Sequence, residues 1–214
     1  MEGTLIKILI ADDHAIVRTG LKQILSEISD VAITGEAADG QETINKVCEN
    51  DYDMVLLDIS MPGRGGLEVL SEIKKNKPGL PVLILSMHPE EQYAVRALKT
   101  GASGYLTKQS APDELIKAIR KVSGGGKYVT ASLAERLVTE IKIDVEKHRH
   151  EILSNREFQI LCMIASGKTP KQISEELSLS AKTISTYRCR ILSKMDMKNN
   201  AELTYYAIQN HLVK

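Results

Sequence analysis

Four groups in the first half of the chain have the residue types to do chemistry together: the pair Asp12-Asp13, then Asp58, Ser86 and Lys108. Each closes, or directly follows, a short apolar run: residues 5–11, 54–58, 82–86 and 103–107. Apolar runs of this length between turn residues read as strands buried on both faces. Such strands deliver their last residues to one rim of an open α/β sheet, where ligands bind. Three carboxylates gathered at a rim repel one another, so their pKa values rise or a cation joins them. The hard cation that tolerates a few carboxylates beside water and phosphate oxygens is Mg2+. A donating hydroxyl (Ser86) and a point charge (Lys108) suit an incoming phosphoryl group. The chemistry that fits the set is phosphoryl transfer onto Asp58 as nucleophile. A bound nucleotide or flavin phosphate is disfavoured, because Asp12-Asp13 would repel it. An aspartyl phosphohydrolase is the enzymatic alternative. Such enzymes place a second acid two residues after the nucleophile, where this chain has Ser60, and no cap insertion interrupts the pattern.

These side chains need elements to bring them together. A fifth strand-like run, residues 31–37, completes a series of strands alternating with segments of helical period. Ile16, Leu21, Ile24, Leu25 and Ile28 are expected on one face of the first helix, and Leu115, Ile119 and Val122 on one face of the fifth. Gly40, Gly65-Gly66 and Gly101 punctuate the joins, and Ser110-Ala111-Pro112-Asp113 reads as a capping box. Alternating β and α predicts a doubly wound α/β domain over residues 1–123, a flavodoxin-like parallel sheet of five strands in order 2-1-3-4-5. Its switch point lies between strands 1 and 3.

Gly124-Gly125-Gly126 ends this unit. Residues 124–151 read as a linker carrying one helix (Leu133, Leu137, Ile141), followed by a charged, poorly patterned stretch over 143–151. Residues 152–214 read as an all-α domain. Leu153-Ser154-Asn155-Arg156-Glu157-Phe158 combines a capping box with a hydrophobic staple, and Thr169-Pro170-Lys171-Gln172 is a second box with Pro at the first helical position. Ser180 caps a further helix over 181–195, and a last helix spans 200–212. Two short helices joined by a tight turn in such a unit are a helix-turn-helix.

On the 181–195 helix, Ile184, Ile191, Leu192 and Met195 share an apolar side. Lys182, Ser185, Thr186, Cys189 and Ser193 share the other, flanked by Thr183, Arg190 and Lys194. A face of small polar residues edged by cations suits a major groove, with bases in front and phosphates beside. Lys171 and Tyr187 are placed to reach phosphates. Arg188 falls on the apolar side and is expected to snorkel or to pair with an acid such as Glu202. Charge supports the division. The 28 acids and 28 bases cancel overall, yet residues 1–123 hold 18 acids to 14 bases and residues 151–214 hold 6 to 9. The tail alone is suited to a polyanion. Cys48, Cys162 and Cys189, odd in number and without a CxxC pair, argue for a reducing compartment. No export leader and no membrane-length apolar run is present, so a soluble cytoplasmic protein is expected.

Asp12-Asp13, Asp58 with Met61-Pro62-Gly63, Ser86, Tyr105 and Lys108 resemble the receiver domain of bacterial two-component response regulators. The resemblance implies that Asp58 accepts phosphate from a sensor histidine kinase. It also implies Mg2+ held by Asp13, Asp58, the carbonyl of Ser60 and, through water, Asp12. Ser86 and Tyr105 would form a switch pair, the hydroxyl moving toward the phosphoryl group and the ring turning inward behind it. Taken alone, Tyr105 reads as a half-buried packing tyrosine. Gln109 follows the lysine where many receivers have proline, so the sequence leaves that peptide's geometry open. The tail, Leu153 to Gly167 and then Ile173 to Lys194, resembles the LuxR-type helix-turn-helix, and the whole chain resembles the NarL/FixJ class. Many members carry Lys and His where this chain has Ser185 and Tyr187, so their base preference does not transfer. The class implies double-stranded DNA half-sites as partner, a homodimer when phosphorylated, and no enzymatic turnover beyond self-phosphorylation and dephosphorylation. A protein-binding adaptor remains the third reading of the tail.

Overall fold

The computed structural model describes residues 5–142 and 149–213. They fall into two compact units, one ending at Leu133 and one beginning at Ala134. In the first, strands β1 (Ile6–Ala11), β2 (Val31–Ala37), β3 (Met54–Asp58), β4 (Val82–Ser86) and β5 (Gly104–Thr107) form one parallel sheet in the order β2-β1-β3-β4-β5. Every residue of β3 and β4 is buried, as central strands covered by helices on both faces require.

Helices α1 (Ala15–Ser26), α2 (Gly40–Glu49), α3 (Gly66–Asn76) and α4 (Glu90–Thr100) fill the crossovers, and α5 (Pro112–Ser123) follows β5. On one side of the sheet, Leu21 and Leu25 of α1 and Leu115, Ala118, Ile119 and Val122 of α5 join Ile8, Ile10, Leu56 and Leu83 in one apolar cluster. Each buried Leu, Ile or Val side chain of the cluster contributes about 1.5–3 kcal/mol. Ladder register then fixes the rim: Ala11 pairs with Leu57, Asp58 with Leu85, and Ser86 with Thr107.

Two expectations fail locally. Ile16 is 82% exposed, because on an ideal helix it lies roughly 180° from Leu25; Val17 takes the inward place instead. Ser110 does not cap α5. The N-cap is Ala111, with no side-chain cap bond, since Pro112 occupies the first helical position, and Ser110 Oγ lies 3.2 Å from Thr107 Oγ1.

Chain that reads as linker contributes to the sheet edge. Tyr128 N donates to the Ser103 carbonyl at 2.8 Å, and Tyr128 forms a parallel bridge with Gly104. Thr130 Oγ1 donates to Glu90 at 2.6 Å and accepts from Leu133 N at 3.2 Å, starting α6 (Ala131–Lys142). Leu133 is buried. Residues 143–148 of the charged stretch, and the side chain of Ile141, lie outside the described residues.

The second unit holds a 3₁₀ turn (Arg149–Ile152) and helices α7 (Asn155–Ala165), α8 (Pro170–Glu176), α9 (Ala181–Met195) and α10 (Asn200–Gln209). Both expected capping boxes form, Ser154 with Glu157 and Thr169 with Gln172, and Ser180 caps α9. Leu153 and Phe158, the staple pair, are both 2% exposed. Helix α7 is buried along nearly its whole length, and Ile173, Ile184, Ile191, Met195, Leu203 and Ala207 pack the remainder of the core. Among the described residues no helix is long and apolar enough to cross a membrane.

Candidate functional site

The rim of the sheet gathers the predicted side chains. Asp12 follows β1 and Asp58 ends β3, neighbours through the β1–β3 ladder. Lys108 follows β5, its backbone N–H donating to the Ser86 carbonyl at 2.8 Å. Its ammonium bridges the two acids, 2.6 Å from Asp12 Oδ2 and 2.7 Å from Asp58 Oδ2. Asp12 and Asp58 are 2% and 1% exposed, so this is a buried ion triad. The remaining oxygens are held by backbone: Ser60 N–H donates to Asp58 Oδ1 at 3.1 Å and His14 N–H to Asp12 Oδ1 at 2.9 Å. Arg18 Nη1 donates to the Asp12 carbonyl at 2.7 Å, tying the acidic turn to α1.

Burial pushes the Asp58 carboxyl above its ordinary pKa, and the Lys108 ammonium only partly offsets this. For Lys108 burial works the other way, but the charges of Asp58 and Asp12 outweigh it and raise its pKa, so the ammonium stays charged. Asp13 differs from its neighbours. Its Oδ1 is shut from water and takes up no hydrogen bond, although His14 Nδ1 stands 2.8 Å away. Asp12, Asp13, His14 and Asp58 each bring a ligand atom within 4.8 Å of the others. An orphaned carboxylate oxygen inside such a cluster fits a bound cation, and the pocket could hold a divalent one. His14 was not among the expected site residues; its position directly after two acids, at a helix N-cap, is the one signal for it in the sequence.

Ser86 is fully buried and its Oγ accepts from His88 N–H at 3.0 Å. Tyr105 is fully buried as well, not half-buried, and its hydroxyl donates to the His88 carbonyl at 2.8 Å. The two side chains of the expected switch pair thus both bond to the backbone of His88. Among the described residues no peptide bond is cis, which includes the one before Gln109.

In the second unit, Lys182, Ser185, Thr186 and Arg190 of α9 are exposed, with Thr183 and Tyr187 half-buried beside them. Lys171 of α8 is 86% exposed. Cys189 is exposed on this face and Cys162 lies in the core; both are free thiols. Two cations have partners that the sequence did not indicate. Arg188 Nε donates to Asn200 Oδ1 at 2.6 Å, an amide and not the expected acid Glu202. Lys194 Nζ lies 2.7 Å from the buried Glu157 carboxylate, bracing the end of α9 against the start of α7.

The response regulator receiver domain family matches residues 8–120, and the luxR family of bacterial regulatory proteins matches residues 151–207. The response regulator UvrY of Escherichia coli K12 is 37% identical over 209 residues, covering 97% of this chain and 96% of UvrY. The response regulator GacA of Pseudomonas syringae pv. syringae is 36% identical over 210 residues, covering 98% of each. Among solved structures, RcsB from Salmonella enterica serovar Typhimurium, bound to promoter rprA in the presence of phosphomimetic BeF3−, is similar with a TM-score of 0.64 and 28% identity. That likeness covers 95% of this chain and 98% of RcsB. With an acid pocket on the receiver rim and a capped helix-turn-helix behind it, the chain belongs to the two-component response regulators of the NarL/FixJ class.

Proposed function

We propose that Asp58 accepts a phosphoryl group from the phosphohistidine of a sensor histidine kinase, and that this modification controls DNA binding by α9. The observation that carries the reading is Lys108, whose ammonium sits between the buried carboxylates of Asp12 and Asp58. A buried carboxylate must stay ionised to act as nucleophile, and this cation supports that state at neutral pH. In the transfer, an Asp58 oxygen forms the new P–O bond while the donor's P–N bond breaks and the electron pair leaves with the imidazole. Asp13, Asp58, the Ser60 carbonyl and, through water, Asp12 would hold Mg2+. When bound, Mg2+ neutralises charge on the transferring phosphoryl oxygens.

The acyl phosphate brings about −1.5 to −2 charge and new acceptor oxygens into the pocket. Lys108 pairs with them, and Ser86 Oγ turns from the His88 N–H to donate to a phosphoryl oxygen. Because Tyr105 bonds to the same residue, His88, that exchange reaches α4 and β5. The proposed outcome is release of the tail and homodimerisation, which presents two α9 helices to DNA half-sites about one turn apart. Lys182, Thr183, Ser185, Thr186, Tyr187 and Arg190, with Lys171, form the proposed DNA face. Lys194 braces that face through Glu157. The work of such a regulator is in the cytoplasm, and its only chemistry is gain and loss of its own phosphate.

The test is to incubate the full chain with a small phosphodonor and Mg2+, locate the modified residue by mass spectrometry, and repeat a genomic DNA pull-down with and without donor. Modification at Asp58 and donor-dependent DNA capture are expected, and Asp58→Ala removes both. Sustained phosphoester turnover would instead favour a phosphohydrolase. DNA capture indifferent to Asp58→Ala would favour a constitutive binder, and no specific capture a protein-binding adaptor.

A further inference from the structure

Three hydroxyl groups at the start of α9 bond within the helix itself. Thr186 Oγ1 donates to the Lys182 carbonyl at 3.0 Å, one turn back. Ser180 Oγ and Thr183 Oγ1 lie 2.8 Å apart, and Ser180 Oγ accepts the Thr183 N–H at 3.0 Å. At Thr186 the consequence reaches the surface, because this residue is exposed. A threonine Cβ carries one hydroxyl and one methyl group. With the hydroxyl bonded to the backbone, the methyl group is what Thr186 offers outward. Lys182 and Arg190, four residues before and after, are exposed as well, and the three lie in one row along the helix. Cys189, beside that row, is exposed with a free thiol, a small and weakly donating group. The row is therefore apolar at its middle and cationic at both ends.

Bases differ in what they show such a row in the major groove. Thymine presents a C5-methyl group, which suits an apolar contact. Guanine presents two acceptors, N7 and O6, which call for a donor. The one hydroxyl proton of Thr186 is committed to Lys182, and its methyl group is not. We propose that Thr186 reads a thymine through methyl–methyl contact, between the cations of Lys182 and Arg190, and so sets one position of each DNA half-site. The inference rests on the DNA reading above, in which α9 enters the major groove.

The experiment selects sequences from a library of random DNA duplexes on the full-length protein treated with a small phosphodonor and Mg2+. Each thymine of the selected duplex is then replaced in turn by deoxyuridine, which removes only the C5-methyl group. Affinity is measured at fixed salt for the wild type, Thr186→Val and Thr186→Ser. At one thymine per half-site the replacement should weaken the wild type about 4-fold, the worth of one buried methyl group. Thr186→Val keeps the methyl group and drops the hydroxyl; it should bind the selected duplex within about 2-fold of the wild type and show the same penalty. Thr186→Ser keeps the hydroxyl and drops the methyl group; it should bind the selected duplex about 4-fold more weakly per half-site and show no penalty at that thymine. No thymine sensitive to methyl removal, a penalty that persists in Thr186→Ser, or loss of binding in Thr186→Val overturns the proposal while leaving α9 as a DNA-binding helix. A library from which no sequence is enriched removes the DNA reading itself, and this inference with it.

Discussion

Lys108 shares one ammonium between two carboxylates that are almost entirely shut from water. Removing one partner of a buried ion pair leaves uncompensated charge, a loss of about 3–5 kcal/mol. Lys108→Met is therefore expected to lower the hydrogen-exchange protection of β3 and β5 amides by that amount at pH 7. The deficit should narrow as pH falls, because protonating either acid relieves the repulsion. Unchanged protection would mean that Lys108 is not the partner of these acids. Gly66 serves the same pocket by its lack of a side chain. A Cβ there would stand 2.0 Å from the Asp58 carbonyl oxygen, and the Gly66 N–H donates to the Ile59 carbonyl at 2.9 Å. Gly66→Ala must push backbone against backbone beneath Asp58. A stability loss of at least about 1–3 kcal/mol is expected, read from urea unfolding, together with slower modification of Asp58 by a small phosphodonor. Gly65, its neighbour in sequence, has an ordinary extended backbone and is the N-cap of α3, so the constraint belongs to the second glycine of the pair.

At the scale of elements, strand positions were legible because central strands leave little choice: four consecutive apolar residues closed by Asp58, between turn residues, read as a fully buried strand. The helix caps divide on one detail. Thr169 stands directly before its proline and caps α8, whereas Ser110 stands one residue too early and cannot cap α5. Partners distant in sequence stayed hidden. Nothing around Lys194 points to Glu157, because the ion pair exists only once α9 packs on α7; for the same reason Tyr128 read as linker until its bridge to Gly104 appeared. The Glu157 pair has a pH consequence. Burial alone would raise the Glu157 pKa, but Lys194 and the Ser154 donors outweigh it and hold it below the ordinary glutamate value. A depressed carboxylate contributes stability that is fully present above the unfolded-state pKa of about 4.3 and is lost as pH falls through the lower folded value. Amides of α7 should lose exchange protection through that acid window. Glu157→Gln, which keeps the capping geometry, should cost about 1–2 kcal/mol at neutral pH and abolish the acid dependence. An acid limb that persists in Glu157→Gln would assign it to another group.

For the molecule as a whole, an acidic receiver and a basic tail divide the labour: one half handles a phosphoryl group, the other a polyanion. If phosphorylation at Asp58 governs the DNA face, the two sites share a coupling free energy, and coupling is reciprocal. Beryllofluoride, a stable stand-in for the phosphoryl group, makes this measurable without turnover. Suppose it tightens operator binding by some factor; couplings of this kind run from about 5- to 150-fold. The same operator must then tighten beryllofluoride binding by the same factor. Two titrations on the full chain test it, DNA affinity with and without saturating beryllofluoride and beryllofluoride affinity with and without saturating DNA. Salt must be fixed throughout, because each phosphate contact made by the proposed DNA face adds about one unit to the slope of log affinity against log salt. Unequal factors would place a third equilibrium, such as dimerisation, inside the cycle. A factor of one in both directions would disconnect Asp58 from α9 and leave a phosphoacceptor and a DNA-binding domain that merely share a chain.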